Sequence, residues 1–196
     1  RVWQETRRAL QEQAPPIYFE ALRDCGALPA VMPELAALLE RRGHEPLEWL
    51  ENAARESGDT AVRYAALVAG LNAEQRDALN ARMKVPNECS ELAEAAGNLL
   101  QHFPQGGQLE ACRVLTLINE GDGWRRPERF ERILTVMAAV GVPGFVVAFV
   151  REACVQAQDI DSQTLVAQGY KGKALGEAIQ RARLALIRRI LGETIQ

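Results

Sequence analysis

The sequence of 196 residues is poor in the side chains that usually build a catalytic or metal centre. It has only two histidines, His44 and His102, and neither has a second histidine or a cysteine three or four residues away. Each histidine is therefore interpreted as a solvated loop residue and not as a metal ligand or a catalytic group. The glycine pairs have no strand before them and no Lys-Ser or Lys-Thr after them, which argues against a phosphate-binding loop. We expect no active site in this chain.

The four cysteines are scattered and show no CxxC spacing, which argues against a zinc site and a disulfide framework (Cys25, Cys89, Cys112 and Cys154). Reduced thiols in a cytoplasmic protein are the simpler interpretation. No apolar run approaches the length of a membrane span, and no signal peptide is visible, so no membrane partner is expected. The chain opens at Arg1 inside a helical pattern, which indicates a start partway through a longer protein.

Strand patterns are also missing. Ala, Leu, Glu, Arg and Gln dominate, and all of them are good helix formers. Proline and glycine divide the chain into short segments; Pro33 and Pro46, for example, each predict the start of a helix. Asp59 or Thr60 is suited to cap the helix that contains the apolar stretch VRYAALVAGLN at residues 62–72. These features predict an all-α bundle of roughly ten short helices.

The net charge of −3 offers no global basic signature, so nucleic-acid binding would need a local basic surface. The sequence has two candidates. One is GWRRPERFER at residues 123–132, where Trp124 is available to stack on a base. The other is the segment 169–189, which combines glycines with lysines and arginines. On a helical wheel, Lys173, Arg181 and Arg188 fall on the side opposite the apolar residues. Both segments are equally compatible with ordinary solvated helix faces.

Six segments in a fixed order are more specific than either basic patch, namely RVWQETRRAL, FEALRDCGALPAVMPEL, VRYAALVAGL, MKVPNE, GWRRPERFE and VAQGYKGKALGEAI. Together they resemble the C-terminal half of bacterial class II CCA-adding enzymes, the tRNA nucleotidyltransferases related to poly(A) polymerases. The resemblance implies the end of a neck and the start of a body at residues 1–43, a helical body at 44–140 and a helical tail at 141–196. It covers the chain from Arg1 to about Ile190.

The resemblance also implies a division of labour. A catalytic head, absent from this chain, would use Mg²⁺ to attach CTP and ATP to the tRNA 3′ end. The body and tail would grip the acceptor stem and the TΨC arm. The expected partners are therefore tRNA and the head of the same protein, with no cofactor bound by this chain. The candidate RNA-binding residues are seven cations of the two basic segments: Arg125, Arg126, Arg129, Lys171, Lys173, Arg181 and Arg188.

One branch of the family carries a His-Asp metal site for phosphohydrolase chemistry at the end of a helix resembling VRYAALVAGLN. Ala69 and Gly70 stand at the positions of that pair, and neither can ligate a metal. The resemblance therefore implies an HD-like body without this activity. A different alternative is a helical protein-interaction or homodimerisation module, in which GVPGFVVAFV at 141–150 is an exposed interface. Buried core is the favoured interpretation of that run.

Overall fold

The structure is a computed structural model that describes residues 1–103, 109–158, 160 and 162–195. These residues form helices and no strand, so the all-α prediction is confirmed. The described part of the chain contains thirteen helices, more than the roughly ten expected, because short helices occur between the longer ones. They are α1 Val2–Gln11, α2 Pro16–Asp24, α3 Leu28–Val31, α4 Pro33–Arg42, α5 Glu45–Glu56, α6 Thr60–Leu67, α7 Ala73–Met83, α8 Asn87–Leu100, α9 Ala111–Glu120, α10 Pro127–Ala139, α11 Gly144–Gln158, α12 Ser162–Ala167 and α13 Gly172–Ile195.

Proline and glycine set several of these boundaries, as predicted. Pro33 begins α4 and Pro46 lies in the first turn of α5, where the missing proline N–H costs no helical hydrogen bond. Gly43 ends α4 with a φ of 65°, a conformation that side chains with a Cβ rarely adopt. Asp59 caps α6, since its carboxylate accepts a 2.8 Å hydrogen bond from the Ala61 N–H.

The chain divides into two compact units. Unit 1 comprises Arg1–Gln101 and Glu131–Val142, and unit 2 comprises His102–Phe130 and Pro143–Gln196. The division expected from the family resemblance, at residues 43 and 140, stays a prediction. Within the described residues, no helix is long and apolar enough to cross a membrane.

The core of unit 1 is built around α6, whose residues from Ala61 to Leu67 are all buried. This helix packs against α5 and α8. Tyr64 makes an edge-to-face contact with Trp3, with ring centroids 5.4 Å apart, and its hydroxyl donates a 2.6 Å hydrogen bond to the Asn80 side-chain oxygen. The stretch that reads as buried core in the sequence is therefore the centre of this unit.

Arg63 is the polar exception inside α6, with only 7% of its surface exposed. Its guanidinium donates hydrogen bonds to the main-chain oxygens of Leu10 at 2.7 Å, Glu12 at 3.0 Å, Ser57 at 2.6 Å and Ala54 at 3.2 Å. These oxygens belong to the C-terminal ends of α1 and α5, where helices leave carbonyls without an internal partner. A positive charge is also favourable at that end of a helix dipole.

Unit 2 has its own core, where α9, α11 and α13 pack together. Its fully buried side chains include Leu117, Ile118 and Ile187. From the run GVPGFVVAFV, Val146, Val147, Phe149 and Val150 are buried, so the interpretation of this run as core is confirmed for them. Phe145 and Ala148 of the same run are exposed, Phe145 with 61% of its surface.

Candidate nucleic-acid interface

The loop between α9 and α10, Gly121–Arg126, carries the beginning of the first basic segment. It packs closely within unit 2, because a Cβ placed on Gly123 would lie 2.9 Å from the Ile118 side chain and 3.0 Å from the Phe130 ring. Asp122 has a φ of 56°, the left-handed conformation that Asp and Asn tolerate better than most residues. Its carbonyl accepts hydrogen bonds from the N–H groups of Arg125, at 3.2 Å, and Arg126, at 2.9 Å. The backbone that presents these two arginines is therefore ordered.

The arginines of this loop are open to solvent. The side chains of Arg125 and Arg126 are 77% and 58% exposed, and each Nε lies near the Asp122 carboxylate, at 3.6 and 3.5 Å. Exposed ion pairs of this length are weak, so both guanidinium groups remain able to meet another anion. Arg129, in the first turn of α10, is half-buried.

Arg132 closes the same basic segment but belongs to unit 1. It pairs there with Asp59 at 2.7 Å and with Glu88 at 2.9 Å. Burial lowers the pKa of Arg132, but the hydrogen bonds and charges of Asp59 and Glu88 outweigh that effect and raise it. This guanidinium already has two carboxylate partners within the protein.

The second basic segment lies on α13 and the turn before it. Lys171, Lys173, Arg181 and Arg188 are exposed, whereas Ala178, Ile187 and Ile190 are buried. The predicted amphipathic division of this helix is confirmed on its charged side. On the apolar side the buried stripe runs through Ala178, Ile187 and Ile190. Contact of these four cations with RNA stays a prediction.

Trp124 joins the two basic segments within unit 2. The guanidinium of Arg183 lies 3.9 Å from the centroid of the Trp124 ring, and its Nε donates a 3.3 Å hydrogen bond to the Ala157 main-chain oxygen. Burial lowers the pKa of Arg183. Trp124 was expected to be available for stacking on a base, but the structure stacks it on an arginine of its own chain.

Asn119 completes this connection. Its side-chain oxygen accepts a 2.6 Å hydrogen bond from the Trp124 indole N–H, and its amide nitrogen donates a 3.1 Å bond to the Gln180 side-chain oxygen. Neither Asn119 nor Gln180 nor Arg183 is among the predicted site residues. Residues 61 positions apart carry no pairing signal in a single sequence, and only the packing of α9 on α13 brings them together.

Packing closes the place where the family's His-Asp pair would stand, at Ala69 and Gly70. Ala69 is buried, and a Cβ on Gly70 would lie 2.9 Å from the Leu38 side chain and 3.2 Å from the Trp49 ring. The Gly70 carbonyl accepts a 3.2 Å hydrogen bond from Arg41. Among the described residues, no group of three or more His, Cys, Asp or Glu side chains could hold a metal ion.

The fold and this surface together define a class: a helical protein with an exposed basic surface on one of its two units. Comparison with known proteins is more specific. The chain is 41% identical over 189 residues to a "Multifunctional CCA protein" of Pseudomonas putida, a match that covers 94% of this chain and 50% of that protein. It is 36% identical over 192 residues to a "CCA-adding enzyme" of Marinobacter nauticus, which covers 95% of this chain and 51% of that protein.

A "CCA-adding enzyme" from another Pseudomonas putida strain is 40% identical over 189 residues, with the same 94% and 50% coverage. These relatives place the chain in the CCA-adding enzyme family, as its ordered motifs predicted. The chain spans about half the length of the curated relatives it matches. No family model matches the chain. No solved structure matches it either.

Proposed function

We propose that this chain is the C-terminal, tRNA-binding part of a CCA-adding tRNA nucleotidyltransferase. It would hold the acceptor stem and TΨC arm so that the 3′ end reaches a catalytic head elsewhere in the whole protein. In this proposal the head binds Mg²⁺, CTP and ATP, and this chain contributes binding energy and orientation. The homology over nearly the whole chain supports the assignment to this family, and a cytoplasmic location is part of the same proposal.

The observation that carries the binding role is that the candidate cations of both basic segments lie in unit 2. Arg125 and Arg126 lie on a loop that Trp124 and Arg183 connect to α13, which bears Lys173, Arg181 and Arg188. Side chains of this kind bind phosphates, and phosphate contacts fix the register of a nucleic acid without reading its sequence. Such recognition suits duplex RNA, whose deep major groove is closed to side chains.

The surface charge is local, as the proposal requires. The chain as a whole carries a net charge of −3, so uniform attraction to RNA does not account for binding. Recognition through a few cations predicts a moderate number of phosphate contacts and a measurable dependence on salt. Each neutralised phosphate contributes a slope of about 0.7 to 0.9 to the plot of log affinity against log salt.

The test is filter binding of the 196-residue chain to tRNA between about 50 and 200 mM salt. The double variant R125A/R126A and the double variant K173A/R181A should each weaken binding and lower the salt slope by about 1 to 2. The matched control is R8A, which removes an arginine from unit 1 whose side chain is 74% exposed and pairs with Glu5. Absence of binding at low salt, or an equal loss in R8A, would overturn the proposal.

A further inference from the structure

We propose that Asn119 is a positioning residue for RNA binding: it holds the loop that carries Arg125 and Arg126 in a fixed place against α13. The inference rests on the proposed function. It adds the contacts that hold the two basic segments together, so that they form one surface. Asn119 itself is uncharged and would contact no phosphate. Its effect on RNA would pass entirely through Trp124.

The chemistry of the three side chains fixes how Asn119 is oriented. The Trp124 indole N–H is a donor only, so the oxygen of the Asn119 amide has to face it, at 2.6 Å. The amide nitrogen is then directed to the Gln180 oxygen, at 3.1 Å. One side chain on α9 thereby satisfies a group on the loop and a group on α13. Substitution by Ala removes both hydrogen bonds without changing any charge.

The loop is held on two sides. On one side Trp124 is fixed by Asn119 and by the Arg183 guanidinium stacked on its ring at 3.9 Å. On the other side the backbone at Gly123 lies against Ile118 and Phe130, too close for a Cβ. Arg125 and Arg126 follow Trp124 directly, so their backbone positions depend on this anchorage. A cation presented from a fixed backbone loses less conformational entropy when it binds a phosphate.

Arg183, on α13, also holds Trp124 and the loop in place. It is half-buried, it stacks on Trp124, and its Nε is bonded to the Ala157 oxygen, so its guanidinium is engaged within the protein. Its neighbours Arg181 and Arg188 are exposed. The basic segment therefore contains both outward cations and one inward cation that holds the loop.

The decisive experiment compares N119A with the original chain in tRNA binding across the salt series. Because N119A removes no charge, a direct electrostatic effect cannot lower the salt slope. The inference predicts a fall in the slope of up to about 1.8, the loss of two phosphate contacts at about 0.9 each. The matched control is T116A, a neutral substitution one turn earlier on α9, where the Thr116 hydroxyl donates a hydrogen bond to the Cys112 oxygen of its own helix. T116A should leave the slope unchanged.

A second measurement separates positioning from general damage. In the R125A/R126A background, N119A should have no further effect on affinity, because the cations that it positions are gone. Amide hydrogen exchange without RNA should be faster in N119A at Arg125 and Arg126, whose N–H groups bond to the Asp122 oxygen, and unchanged in unit 1.

The outcomes are distinct. If the original chain binds tRNA and R125A/R126A lowers the slope, but N119A does not, the positioning role is wrong and the proposed function stands. If N119A weakens binding equally in both backgrounds, the role of Asn119 is general stability, and the inference is again overturned. If the original chain shows no salt-dependent binding, the proposed function and this inference are both wrong.

Discussion

The Arg63 guanidinium donates a 2.7 Å hydrogen bond to the main-chain oxygen of Leu10, 53 residues earlier in the chain. Arg63 thereby ties α1 to the centre of unit 1, and its other bonds reach Ala54 and Ser57 at the end of α5. A buried charge of this kind is satisfied by carbonyl oxygens at helix ends, without a carboxylate. This arginine is therefore a structural element of the core.

Replacement of Arg63 by Met should destabilise unit 1 severely. It leaves buried carbonyls at the ends of α1 and α5 without a donor, and each unsatisfied group costs about 1 to 3 kcal/mol. We expect a loss of more than about 3 kcal/mol in urea unfolding. R63K should recover only part of this loss, since an ammonium lacks the planar fork of five donors. The control R55M removes an exposed arginine paired with Glu51 and should cost less than about 0.5 kcal/mol; an equal effect would contradict the assignment.

Gly70 is predicted to be irreplaceable for steric reasons. Its added Cβ would meet Leu38 at 2.9 Å and Trp49 at 3.2 Å, and the surrounding core leaves little room to move. G70A should therefore cost about 1 to 3 kcal/mol in thermal or urea unfolding. The matched control is G58A, since a Cβ on Gly58 would meet nothing within 4 Å.

The close packing around Gly70 also predicts that a His-Asp pair cannot simply be restored at residues 69 and 70. An A69H/G70D variant would have to place two larger side chains where the existing core leaves no space. We expect it to be less stable than the original chain and to show no metal-dependent phosphohydrolase activity. Turnover by a folded variant on addition of a divalent metal would show that the site is open after all.

Asp122 should oppose RNA binding, because its carboxylate lies near Arg125 and Arg126, where a phosphate would compete with it. D122N removes the negative charge, and Asn tolerates the left-handed backbone at this position. We expect tRNA affinity to rise about two- to five-fold, in line with the small worth of exposed ion pairs. D24N makes the same change of charge beside Arg23 in unit 1 and is the control. A similar gain in both variants would point to net charge alone.

Stability should fall at alkaline pH partly because of Cys89. Burial, with the nearby charges of Glu88 and Asp59, raises the pKa of this thiol to about 11. Between its ordinary pKa of 9.0 and that value, the unfolded chain releases the proton while the folded chain keeps it, so unfolding becomes easier as pH rises. The loss is at most about 3 kcal/mol.

Urea unfolding of the original chain and of C89A, from about pH 8 to about pH 11, measures this effect. The substitution itself changes packing, so the comparison concerns the pH dependence and not the absolute stability. The stability of C89A should fall less over this range. Burial raises the pKa of Tyr64 as well, and that contribution is common to both proteins. Parallel curves would exclude the role given to Cys89.

Local signals explain how much of the fold was predictable. Pro33, Pro46, Gly43 and Asp59 act on the backbone beside them, so helix starts and ends followed from the sequence. The six ordered motifs, which are also short local stretches of sequence, identified the family. The additional short helix Leu28–Val31, which lies between Gly26 and Pro33, was not among the predicted helices.

The candidate site was predictable only in part. The sequence determined which residues are basic, that α13 has a charged side, and that Ala69 and Gly70 lack metal-binding groups. Only the tertiary structure decided that Trp124 stacks on Arg183, that Asn119 bridges Trp124 to Gln180, and that Arg63 reaches Leu10. The physical reason is range: helical periodicity and capping act over a few residues, whereas these partners are joined by the packing of distant helices, which no local pattern encodes.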